Sequence, residues 1–63
     1  MNRKDWTKAI KKALIDKDEN QADVANALGL TRQYVCNIIN CKMTSRSAVI
    51  AISDYCGVEP YEW

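Results

Sequence analysis

The side chains best suited to chemistry lie between Asn20 and Asn40, and the chemistry they offer is recognition rather than catalysis. Two short apolar-periodic runs meet there at one glycine, Gly29, with almost no linker. The second run turns the hydrogen-bonding side chains Arg32, Gln33 and Asn37 outward. A small protein places one helix in the major groove of DNA by such an arrangement. Catalysis has no comparable support. The chain has no His, no paired carboxylates in an apolar setting and no Gly-rich phosphate loop, so an enzyme is not expected.

Cys36, Cys41 and Cys56 raise the question of metal or redox chemistry. A structural zinc site needs four ligands, and three thiols with no His and no close-spaced pair do not supply them. No metal and no cofactor are expected. An odd cysteine count without a CxxC pair fits a reducing compartment better than a disulfide framework. Cys56 reads as a small buried hydrophobe. Cys36, beside Arg32, is the thiol that oxidation would reach first if it lies on a binding surface.

The elements that must position these residues are helices. One Pro, two Gly and no strand alternation predict an all-α domain of 63 residues, with every residue in a single unit. Helix 1 is expected over about 5–17, with Trp6, Ala9, Ile10, Ala13 and Leu14 on its inner face and Lys8, Lys11, Lys12 and Asp16 opposite. Helix 2 begins at Gln21 behind an Asn20 N-cap, with Asp23 as a weaker capping-box partner, and stops at Gly29. Its inner face is Val24, Ala25 and Leu28. Thr31 caps helix 3, about 32–40, which buries Val35, Ile38 and Ile39. Helix 4 runs from near Ser45 to Cys56, buries Ala48, Val49, Ile52 and Tyr55, and stops at Gly57. Pro60 suits the first position of a final turn over 60–63.

A chain of this length buries only about 60% of its unfolded surface, so its core must be economical. The longest apolar run, 48–52, is too short to cross a bilayer. No hydrophobic stretch follows the charged residues Arg3, Lys4 and Asp5, so a secretory signal is not expected and the cytoplasm is the natural location. The formal net charge is only +1, but it is unevenly spread. From Val24 to Ser53 there is no acid, while Arg32, Lys42 and Arg46 are present. That distribution is what an electrostatic footprint for nucleic acid looks like.

Residues Gln21 to Asn40 resemble the helix-turn-helix of phage repressor and Cro proteins, the Cro/C1-type or XRE family. The resemblance rests on Gln21, the small residue Ala25, the turn glycine Gly29, Thr31, and apolar Val24, Leu30, Val35 and Ile38. It extends weakly through helix 4 to Gly57-Val58. It implies a compact lambda-repressor-like domain of four to five helices and a sequence-specific regulator of phage, prophage or mobile-element origin that binds double-stranded operator DNA. Helix 3 then reads bases through Arg32, Gln33, Cys36 and Asn37. An Arg fork matches guanine O6 and N7, and Gln or Asn serves adenine in the same way. Phosphate contacts are expected from Gln21, Thr31, Tyr34, Asn40, Lys42, Thr44 and Arg46, which set register rather than sequence choice.

Two departures from the family pattern carry expectations of their own. Relatives commonly hold an Arg in helix 1 and a Glu near the end of helix 3 as a partly buried ion pair. Leu14 and Ile39 stand at those positions, so the pair is replaced by aliphatics that should pack together. Where relatives have Gly after helix 3 this chain has Cys41, so the helix should end differently, with Asn40 in the left-handed region. Family members usually bind as dimers, and the expected form is a weak homodimer, assembled through the domain itself and in some settings only on DNA. Tyr55, Val58, Tyr61 and Trp63 are the candidate contacts. The rival reading is a helix-turn-helix scaffold whose main partner is a protein, an antirepressor or antitoxin-like regulator. The modest net charge favours the rival, and the Arg32/Gln33/Asn37 face opposes it.

Overall fold

A computed structural model describes residues 2–61. Four helices follow one another: α1 Arg3–Asp16, α2 Gln21–Leu28, α3 Arg32–Ile39 and α4 Arg46–Cys56. No strand occurs among the described residues, and none of their helices is long and apolar enough to cross a membrane.

Local side chains set where each helix starts. Asn2 accepts a hydrogen bond from the Asp5 amide at 2.8 Å, so α1 begins two residues before the expected Asp5. Asn20 and Asp23 form a complete capping box, each carboxamide or carboxylate oxygen accepting from the other's backbone amide at 3.1 and 3.0 Å. Thr31 caps α3 by accepting from the Tyr34 amide at 3.1 Å. Ser45 precedes α4 without a side-chain capping bond; its hydroxyl lies 3.4 Å from that of Ser47.

All four helices stop in the same way. One residue enters the left-handed region (Asp18 φ 56°, Gly29 φ 70°, Cys41 φ 60°, Gly57 φ 71°). The amide after it then reaches back five residues: Glu19 to Leu14 at 2.9 Å, Leu30 to Ala25 at 2.8 Å, Lys42 to Asn37 at 2.9 Å, Val58 to Ser53 at 3.0 Å. This is the Schellman closure, which satisfies carbonyls that a helix end leaves open. The expectation for α3 is corrected here. Asn40 keeps φ −86°, and Cys41 itself takes the left-handed conformation, because the reach-back from Lys42 requires the turn one residue later.

The core draws on every helix: Trp6, Ile10 and Leu14 from α1, Val24 and Ala25 from α2, Val35, Ile38 and Ile39 from α3, and Ala48, Val49, Ile52 and Cys56 from α4. Leu14 and Ile39, the two residues expected to pack together, are both buried in it, and neither side chain lies in solvent. Ser53 is the buried polar residue of this set, and it is satisfied. Its hydroxyl accepts from Trp6 Nε1 at 2.9 Å and donates to the Val49 carbonyl at 2.6 Å. A second polar link joins α1 to α3, where Thr7 Oγ1 donates to the Ile39 carbonyl at 2.7 Å.

The C-terminal segment departs from expectation. Pro60 and Tyr61 are not helical, and residues 62 and 63 of the expected final turn lie outside the described residues. Tyr61, expected among the dimer contacts, is 3% exposed and closes the core instead. Its ring meets Trp6 edge to face at 5.2 Å between centroids, a favourable geometry for two aromatic quadrupoles.

Candidate nucleic-acid interface

Burial of Val35, Ile38 and Ile39 fixes the rotation of α3: positions 33, 36, 37 and 40 form its opposite face, while Arg32 stands at the flank, on the Ile39 side. Arg32, Gln33 and Asn40 are exposed, and Cys36 and Asn37 are half-buried. Of the four residues expected to read bases, Gln33, Cys36 and Asn37 share one helix face, and Arg32 lies to its side, lining a groove with Gln21 and Lys11. Only Gly29, Leu30 and Thr31 separate α2 from α3, and both helices bury their inner residues in the same core.

The face is hydrogen-bonded internally at helical i, i+4 spacing. Gln33 Nε2 donates to Asn37 Oδ1 at 3.1 Å. Asn37 Nδ2 in turn donates to the Met43 sulfur at 3.5 Å. Asn40 Nδ2 donates to Cys36 Sγ at 3.2 Å. These bonds hold the amides in defined rotamers, so their ordering cost is partly met before any ligand arrives. Met43, 44% exposed on the α3–α4 loop, enters this network though sequence reading passed over it. Nothing in its local pattern distinguishes it from an idle loop residue.

The expected phosphate donors divide by position. Gln21 is the first residue of α2 and half-buried, sharing a shallow groove with Asn20, Arg32 and Lys11. Thr31 accepts from the Tyr34 amide through its oxygen, which leaves its hydroxyl proton free to point outward. Tyr34 is half-buried against the core. Lys42, Thr44 and Arg46 are all exposed, on the α3–α4 loop and the first turn of α4. The loop leaves α3 through the left-handed Cys41, whose sulfur lies 3.6 Å from Thr7 Oγ1.

A second cationic group was missed. Arg3, Lys4, Lys8 and Lys11 line a groove between α1 and the end of α3, together with Asn40 and Cys41. The signal was in the sequence, since Lys4, Lys8 and Lys11 stand at i, i+4 and i+7 on one helical stripe. The sequence reading assigned Lys8 and Lys11 to the solvent side of helix 1 and gave them no role.

Of the remaining dimer candidates, Val58 is half-buried against the core and Trp63 lies outside the described residues. Tyr55 is also half-buried, and its hydroxyl donates to Glu19 Oε1 within the same molecule. Among the described residues no three His, Cys, Asp or Glu side chains gather closely enough to hold a metal ion. No protein-family model, curated protein or solved structure matches this chain.

Proposed function

We propose that this protein is a sequence-specific double-stranded DNA-binding regulator of transcription, a helix-turn-helix protein of the repressor/Cro kind acting in the cytoplasm. The observation that carries the reading is the outward face of α3. Gln33, Asn37 and Asn40 lie on it together with exposed Arg32 at its flank, within a stretch from Val24 to Ser53 that holds no acid. Arg32 reads guanine, and Gln33 and Asn37 read the neighbouring positions with amides that their mutual hydrogen bond has already oriented. Gln21 at the start of α2, with Lys42, Thr44 and Arg46 beyond α3, supplies phosphate contacts that set the register. Two copies on a near-palindromic site, half-sites about one helical turn apart, give the protein its operator. Occupation of that operator controls access of polymerase.

Selection of bound duplexes from a random DNA pool tests the reading. The parent protein enriches a near-palindrome, and Arg32→Ala loses the preference at one symmetric pair of positions. An Arg–guanine pair contributes about 1–3 kcal/mol of discrimination, so the loss there is roughly tenfold to hundredfold. No enrichment from folded protein at low salt, with tight binding to a protein instead, would favour the scaffold reading.

A further inference from the structure

We infer that α1 carries a second phosphate-binding track, built from Lys4, Lys8 and Lys11 with Arg3 at its end, for the sugar-phosphate backbone of the duplex that α3 reads. The inference rests on the DNA-binding reading above. Two shallow grooves flank α1, and Lys11 lines both. The first holds Gln21 and Arg32, at the starts of α2 and α3, with Glu19 at its edge. The second holds Arg3, Lys4 and Lys8, and reaches Asn40 and Cys41 at the end of α3. The cation row therefore borders the reading helix at both of its ends. No acidic side chain lines the second groove.

Dimensions fit the same ligand. Seven residues separate Lys4 from Lys11, a rise of about 10 Å along the helix. One DNA strand carries a phosphate for each ~3.4 Å of duplex axis, and neighbouring phosphates lie farther apart than this along the winding strand, so the row meets about two or three of them. Like charges at i, i+4 destabilise a helix by themselves, and a polyanion laid along the stripe removes that repulsion. Arg3 is held at the end of the row, its guanidinium 5.6 Å from the centre of the Tyr61 ring. Lys12 is exposed but lines neither groove, which makes it the internal control.

The test is the salt dependence of binding to the selected duplex or, if none is selected, to a random-sequence duplex. Each lysine that neutralises a phosphate contributes about 0.9 to the slope of log K against log salt. Lys8→Gln should lower the slope by about 0.9, and the triple Lys4→Gln/Lys8→Gln/Lys11→Gln by about 2.7. Base preference in the selection stays as in the parent, and Lys12→Gln leaves the slope where it was. All four residues are exposed, so the variants stay folded, with urea midpoints no lower than the parent's. Unchanged slopes in the groove variants, or an equal drop in Lys12→Gln, would overturn the track while leaving the role of α3 intact. Failure of the parent to bind any duplex would overturn both.

Discussion

Tyr55 ties α4 to the turn between α1 and α2 through three separate groups. Its hydroxyl donates to Glu19, its backbone carbonyl accepts from Lys17 Nζ at 2.7 Å, and its ring lies 4.6 Å from the same ammonium. The hydrogen bond to the Glu19 carboxylate, burial, and the nearby negative charge of Glu19 and Asp23 push the phenol up from 10.0 to about 12. Folded Tyr55 thus holds its proton where the unfolded chain has lost it. Its contribution is fully present below pH 10 and is lost as pH rises from 10 toward 12. Burial raises the Cys56 thiol as well, with Glu19 acting in the same direction and Lys17 against them, so its stabilising effect also fades above pH 9.0. Glu19→Ala should return the Tyr55 titration, followed by NMR of its ring, toward 10. A variant phenol still titrating near 12 would show that the carboxylate is not the cause.

At the scale of the element, the recurring feature is the left-handed stop. Gly29 and Gly57 adopt it without steric penalty, whereas Asp18 and Cys41 carry a Cβ into a conformation that costs about 1–2 kcal/mol. Asp tolerates the region better than most residues, and Cys does not share that advantage. Cys41→Gly should therefore stabilise the domain by about 0.5–1 kcal/mol, the relieved strain less the extra freedom of glycine in the unfolded chain. Urea denaturation reads this as a higher midpoint at unchanged slope. A lower midpoint would mean that the sulfur contact with Thr7 outweighs the strain. The starts of α2 and α3 were legible in the sequence because Asn20, Asp23 and Thr31 are local signals acting over three residues. The stop of α3 was not legible in detail, since Asn40 has the better local preference for the left-handed region and the reach-back bond from Lys42 overrides it in favour of Cys41.

For the molecule as a whole, the limit is the size of the core. The described residues have a radius of gyration of 10.2 Å, close to the ~10 Å of a compact chain of this length. A domain this small has about 3–9 kcal/mol of stability available. Ile52 is fully buried on α4 in a core shared by all four helices. Ile52→Ala should cost about 2–5 kcal/mol, enough to leave a large part of the population unfolded, as thermal melting by circular dichroism would record. A melting temperature within a few degrees of the parent's would show that the four helices do not depend on one shared core. The charge pattern also acts at this scale. A net charge of +1 conceals an acid-free stretch from 24 to 53 and a lysine stripe on α1, and folding sets the two beside each other.

Sequence by itself determined the four helices, the starts of α2 and α3 and most of the inner faces, because 3.6-residue periodicity and capping are short-range effects written in neighbouring residues. It also determined the outward face of α3, since burying Val35, Ile38 and Ile39 leaves Gln33, Cys36 and Asn37 only one side to occupy, with Arg32 at its flank. Tertiary structure alone decided which residues far apart in the chain meet. Trp6 meets Ser53, Thr7 meets the Ile39 carbonyl, and Tyr61 turns inward onto Trp6 instead of outward. Tertiary structure also decided that the lysines of α1 border both ends of α3. A helical stripe fixes which residues share a face, but only packing against the other helices fixes what that face looks toward.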